Sequence, residues 1–164
     1  MIQGVPAEQV AALVRTLAER GETVAAAESL TAGLLTAVLT TVPGSSAVVR
    51  GGLVVYGTDL KASLAGVDPR LLAERGPVDS EVAAALAAGA RARCGATIGL
   101  GLTGVAGPGP QDGVPAGTVF VALESPRGGL VSLLRATGTR DEVRAAAVRA
   151  ALGLIEDDLD AIIE

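Results

Sequence analysis

Thr97-Ile98-Gly99-Leu100-Gly101-Leu102-Thr103 runs into Gly104-Val105-Ala106-Gly107-Pro108-Gly109-Pro110, and the reading of this stretch decides the fold. Gly99, Gly101 and Gly104 satisfy G-x-G-x-x-G, and Glu124 stands twenty residues beyond the last of them. A dinucleotide-binding turn must open a helix whose N-terminus receives the pyrophosphate. Two prolines among this much glycine cannot begin that helix. The first two glycines also fall inside the apolar run itself. The stretch therefore reads as a buried strand over 97–103 and a loop over 104–117. No P-loop takes the place of the rejected motif, because the only lysine, Lys61, is preceded by leucine.

Working outward, 118–124 and 130–136 read as strands, with a hairpin turn at Pro126 to Gly129 and a helix over 141–156. Upstream, Val10, Leu13, Val14 and Leu17 repeat at helical spacing between Pro6 and Gly21. Residues 23–27 form a short apolar strand that leads through Glu28-Ser29 into a helix near 31–41, stopped by Pro43-Gly44. A buried strand follows over 48–56, with Gly51-Gly52 as a bulge, then a short helix over 59–64. Asp79-Ser80-Glu81 caps a further helix whose buried stripe is Val82, Ala85, Leu86, Gly89 and Ala90. Helices alternate with strands early and a hairpin comes late. The expected fold is a three-layer α/β/α domain with a mixed sheet. A chain of 164 residues fits one domain, 1–164, with Glu156-Asp157-Asp158-Leu159-Asp160 as a solvated helix end.

Composition narrows the class of function. Hydrophobic residues make up 49% of the chain, yet Tyr56 and Phe120 are the only aromatics and 31 residues are alanine. The core must be Val, Leu, Ile and Ala, with helices packed closely. A net charge of −5 and scattered basic residues leave no footprint for nucleic acid, and there are no stacking platforms for bases. Histidine is absent, which removes imidazole-based metal sites and triads. Cys94 is the only cysteine, so no intrachain disulfide framework exists. Met1 to Pro6 lacks signal-peptide features, and the uncharged segment 29–49 contains Pro43, Gly44 and many Ser and Thr. The expectation is a soluble, cytoplasmic protein without a membrane segment.

Few residues remain that could do chemistry. Twelve of thirteen basic residues are arginine, which leaves Lys61 alone. A lysine kept in such a chain can do what arginine cannot, namely lose its proton near neutral pH; a leftover surface charge is the other reading. Ser29 sits where a strand gives way to a helix. It is either a helix cap or a nucleophile beside free N–H groups that could hold an oxyanion. Ala27-Glu28-Ser29-Leu30-Thr31 does not satisfy the hydrolase elbow G-x-S-x-G. The loop after Thr103-Gly104 is longer than ordinary connections. Arg140 falls in a first helical turn, where a cation opposes the macrodipole. It serves either an anionic ligand at that helix N-terminus or a salt bridge.

Taken together, Ala27-Glu28-Ser29-Leu30-Thr31-Ala32-Gly33, Val42-Pro43-Gly44-Ser45-Ser46, Gly51-Gly52-Leu53-Val54-Val55-Tyr56 with Lys61, Thr103-Gly104-Val105-Ala106-Gly107-Pro108 and Pro115-Ala116-Gly117-Thr118-Val119 resemble the CinA C-terminal domain family. The final helix, with Arg140 and Arg144, fits the same pattern, and the family includes nicotinamide mononucleotide deamidases. The resemblance implies hydrolysis of the carboxamide of nicotinamide mononucleotide to the nicotinate nucleotide and ammonia, without metal or organic cofactor. It implies Ser29 as nucleophile, Lys61 as base and Tyr56 as a further catalytic group. It places Glu28, Thr31, Gly33, Thr103, Gly104 and Arg140 around the substrate, with Arg140 at the phosphate end. It also implies a homo-oligomer, a dimer. The sequence departs from the family's Glu-Ser-Cys-Thr-Gly-Gly at Leu30 and Ala32, and has Val114 where a lysine is common. A nucleotide-binding module without turnover is therefore the alternative reading.

Overall fold

The computed structural model describes residues 4–161; Met1–Gln3, read above for signal features, lie outside the described residues. Five strands form one sheet: β1 (Val24–Glu28), β2 (Val49–Val54), β3 (Ile98–Gly104), β4 (Thr118–Ser125) and β5 (Gly128–Arg135). Their spatial order is β2-β1-β3-β4-β5. The pairs β1–β2 and β1–β3 are parallel, and β3–β4 and β4–β5 are antiparallel. The sheet is thus mixed, with the late hairpin supplying its antiparallel half.

Helices α1 (Ala7–Glu19), α2 (Leu34–Leu39) and α6 (Arg140–Asp160) cover one face, while α3 (Thr58–Ser63), α4 (Pro69–Arg75) and α5 (Ser80–Cys94) cover the other. The faces differ in side-chain size because strand residues alternate sides. Val24, Ala26, Ile98, Leu100, Leu102, Val119, Val121 and Leu123 join the larger core with α1, α2 and α6. The opposite face carries Ala25, Ala27, Gly99, Gly101 and Ala122. Helix α5 lies so close there that a Cβ on Gly99 would stand 2.0 Å from the Ala87 carbonyl oxygen, and one on Gly101 2.3 Å from that of Ala83. The glycines that imitate a nucleotide motif serve this close approach.

Three sequence expectations need correction. Helix α2 begins at Leu34 rather than near 31, because Ser29–Gly33 forms a turn in which Ala32 and Gly33 both take positive φ (47° and 97°). Helix α4, capped by the Asp68 carboxylate on the Arg70 N–H, lacked a strong apolar stripe in the sequence and was not expected. The end of α6 is solvated only in part: Asp157 and Asp160 are exposed, but Asp158 is buried, accepting from Ser125 Oγ at 2.7 Å and from Arg127 at 2.7 and 3.1 Å. Arg127 also grips Glu22 through two hydrogen bonds of 2.6 Å. The expected irregularity near Gly51-Gly52 is present, since Val24 pairs with Val49 while Ala25 pairs with Gly51. Among the described residues no helix is long and apolar enough to cross a membrane.

Candidate active site

The carboxyl ends of the three parallel strands meet at one edge of the sheet, where open α/β sheets place their ligands. Ser29 follows β1, Val55-Tyr56 follow β2, and Thr103-Gly104 end β3. Backbone pairing continues past the strands and fixes this edge. The Ser29 N–H donates to Leu102 O and the Val55 N–H to Glu28 O, both at 2.9 Å. A cavity of about 390 Å³ opens here, lined by Ser29, Leu30, Tyr56, Thr58, Lys61, Thr103, Gly104, the loop 105–111 and Arg140.

Lys61, on α3, is 1% exposed and Ser29 7%. Their side chains meet, with Lys61 Nζ 2.9 Å from Ser29 Oγ. The same nitrogen lies 2.8 Å from the Val55 carbonyl oxygen and 3.4 Å from that of Tyr56. Burial lowers the Lys61 pKa to about 8, with the Asp59 carboxylate pulling the other way. As an ammonium, Lys61 donates to all three oxygens. A neutral amine has two N–H groups and one lone pair. The two carbonyls can only accept, so they take the N–H groups and leave the lone pair facing Ser29 Oγ. Only in that neutral form is the amine able to accept the serine proton.

The cap reading of Ser29 fails for a specific reason. Glu28, fully buried, already caps α2: its carboxylate accepts from the Leu35 N–H at 2.8 Å, the Thr36 N–H at 3.1 Å and Thr36 Oγ1 at 2.7 Å. Gly52 makes room for this, since a Cβ there would lie 2.3 Å from Thr36 Oγ1. Of the two roles open to Glu28, orienting the turn or contacting the substrate, the hydrogen bonds fit the first, because both of its oxygens are committed inside the protein. Thr31 and Gly33 are likewise absent from the cavity wall; Thr31 is buried, and Gly33 supplies the left-handed residue before α2.

The other expected residues do reach the cavity. Thr103 is buried and its hydroxyl donates to Pro77 O at 2.6 Å, so only its lone pairs remain for a ligand. Gly104 has no room for a side chain, as a Cβ would stand 2.7 Å from Thr118 O. Arg140 donates to Gly107 O at 2.8 Å and to the Tyr56 hydroxyl at 3.0 Å, bridging the loop and the exposed Tyr56 ring. The Tyr56 hydroxyl thus belongs to the Arg140 end, while its carbonyl belongs to the Lys61 end. Leu30, Thr58, Pro77, Val78 and Gln111 also line the cavity. They carry no chemical signal in sequence and arrive there through topology alone.

Fold and cavity together define a three-layer α/β domain with a buried serine–lysine pair at the carboxyl edge of its parallel strands. The model of the CinA C-terminal domain matches residues 7–159. The chain is 52% identical over 139 residues to a CinA-like protein of Frankia casuarinae, covering 85% of this chain and 32% of that protein. It is 46% identical over 154 residues to a CinA-like protein of Acidobacterium capsulatum, covering 93% and 37%. The crystal structure of the competence/damage inducible protein CihA from Agrobacterium tumefaciens superposes with a TM-score of 0.89 at 35% identity, covering 93% of this chain and 94% of that one. The chain belongs to the CinA C-terminal domain family, and it spans about a third of the length of these curated relatives.

Proposed function

We propose that this domain hydrolyses the carboxamide of nicotinamide mononucleotide to nicotinate mononucleotide and ammonia. The observation that carries the hydrolytic part is the 2.9 Å approach of a buried, pKa-lowered Lys61 to Ser29. The substrate part rests on the family resemblance, on a cavity of mononucleotide size, and on Arg140 as the guanidinium at its rim for a phosphate.

In this reading Lys61 takes the Ser29 proton as Oγ bonds to the carboxamide carbon, and the carbonyl electrons move to oxygen. Backbone N–H groups after Ser29 hold that oxyanion. Among the described residues, those of Leu30, Thr31 and Gly33 have no acceptor within the protein, and of these only Leu30 lines the cavity, whereas the first turn of α2 is already committed to Thr31 O and Glu28. Collapse breaks the C–N bond, and the proton held by Lys61 leaves with the nitrogen as ammonia. Water then attacks the acyl ester, gives its proton to Lys61, and the restored Ser29 recovers that proton as nicotinate nucleotide departs. Every proton passes through one nitrogen, so the Tyr56 hydroxyl is assigned to orienting Arg140 and the substrate.

Ala32 supports the second reading, a module that holds the nucleotide without cleaving it, since a non-glycine residue occupies a left-handed position beside the nucleophile. One experiment separates the two. Ammonia release is measured with nicotinamide mononucleotide and with the dephosphorylated riboside, for wild type and Ser29→Ala. Hydrolysis predicts release from the nucleotide, much weaker release from the riboside, and none from the variant. Tight nucleotide binding with no release would establish the module.

A further inference from the structure

We infer that Arg144, which does not line the Ser29 cavity, is the positioning residue that fixes the turn after Ser29 and with it the backbone N–H of Leu30 that faces the developing oxyanion. This rests on the serine–lysine reading above and deepens it. Arg144 rises from α6 on the far side of the Ser29–Gly33 turn. Its Nε donates to Leu30 O at 2.9 Å and its Nη2 to Thr31 O at 3.1 Å. In a trans peptide the N–H points opposite to the C=O. Holding Leu30 O toward Arg144 therefore turns the Thr31 N–H away from it, and the two-point grip on Leu30 O and Thr31 O fixes the turn that carries the Leu30 amide. The preceding peptide is fixed in the same manner, because the Ala32 N–H donates to Ser29 O at 3.1 Å and so directs the Leu30 N–H.

The Leu30 amide, which lines the cavity and has no internal acceptor, thus lies between a Ser29 carbonyl held by Ala32 and a Leu30 carbonyl held by Arg144. Successive N–H groups in such a turn form an anion-binding concavity, and a charged donor on the carbonyl polarises the amide further. Lysine cannot reproduce the contact, since one point charge cannot serve two carbonyls through a planar fork. Arg144 is also reachable from outside. It forms part of the wall of a separate open cavity of about 910 Å³ with Leu34, Arg135 and Arg149, and its side chain is 28% exposed.

That exposure makes chemical rescue feasible. Wild type, Arg144→Ala and Arg144→Lys are compared for kcat and KM on nicotinamide mononucleotide and for the rate at which a fluorophosphonate labels Ser29. Both are repeated with guanidinium at non-denaturing concentration. The inference predicts that Arg144→Ala loses roughly a hundredfold in kcat and in labelling, the scale of one oxyanion donor. KM should stay within about threefold, and guanidinium should restore a substantial part of both losses. Arg144→Lys, which also covers the case of an alanine variant that does not fold, should lose about tenfold.

Variants that label and turn over like wild type, or losses that guanidinium leaves untouched, overturn the inference while Ser29 keeps its role. Wild type that labels at Ser29 but releases no ammonia overturns the substrate assignment alone, and the labelling rates still decide Arg144. A wild-type Ser29 inert to the probe overturns the serine–lysine reading and this inference with it.

Discussion

Ala32 holds a φ of 47°, where its Cβ crowds the following carbonyl, and the sequence has alanine where the family pattern has glycine. The left-handed position costs a non-glycine residue roughly 1–2 kcal/mol, against roughly 0.5–1 kcal/mol that glycine loses in the unfolded chain. Ala32→Gly should therefore stabilise the domain by about 0.5–1 kcal/mol in urea denaturation, with turnover equal or higher. A destabilised variant would show that the turn relaxes differently. Residue-level legibility was uneven for physical reasons. Lys61 stood out because arginine fills every other basic position. Ser29 stayed balanced between cap and nucleophile, since only the structure shows that Glu28 does the capping. Arg144 acts 114 residues away from Leu30, through a carbonyl that leaves no mark in sequence.

At the scale of elements, β3 is both the strand that the sequence disclosed and the one whose motif misleads. Its alternation of leucine with glycine gives one face to the larger core and the other to α5. The expected stripe of α5 included Ala85 and Gly89, but Ala83 and Ala87 are the fully buried residues that meet the glycine face. A helical period alone cannot rank alanines, because their contact depends on how flat the opposing strand is. Gly101→Ala tests this packing. The added Cβ would lie 2.3 Å from Ala83 O and 2.7 Å from the Ala87 nitrogen, so α5 must move. A loss of about 3 kcal/mol or more is expected in denaturant melts, the upper range for overpacking. A variant within 0.5 kcal/mol of wild type, as a rough bound for a surface change, would refute the close approach.

For the molecule as a whole, burying the only lysine links stability to pH. The folded pKa of about 8 lies below the ordinary lysine value of 10.5, so between these values the unfolded chain binds more protons and stability rises with pH. Below pH 8 the fold carries the full penalty of a buried ammonium; above about 10.5 it carries none. Comparison with Lys61→Met cancels the other titrating groups. Unfolding free energies at pH 7 and pH 10.5 should show wild type gaining about 3 kcal/mol on the variant, taking about 1.4 kcal/mol per pKa unit. A constant difference would mean that Lys61 titrates as it does in water. The mixed sheet and three layers followed from pattern, whereas the strand order and the Glu22–Arg127–Asp158 cluster did not, since the cluster joins three distant chain segments.

If Lys61 works as a base on Ser29, Lys61→Arg removes that function without removing the charge. Arginine keeps the charge but stays protonated at any workable pH. The measurement is the initial rate of ammonia release from nicotinamide mononucleotide between pH 6 and about 9.5, for wild type and variant. Wild type should rise with pH through a limb centred near the Lys61 pKa of about 8. The variant should fall by on the order of a hundredfold or more, the range that loss of a general base costs, and should lack that limb. A Lys61→Arg protein with normal turnover and an unchanged limb would contradict the account.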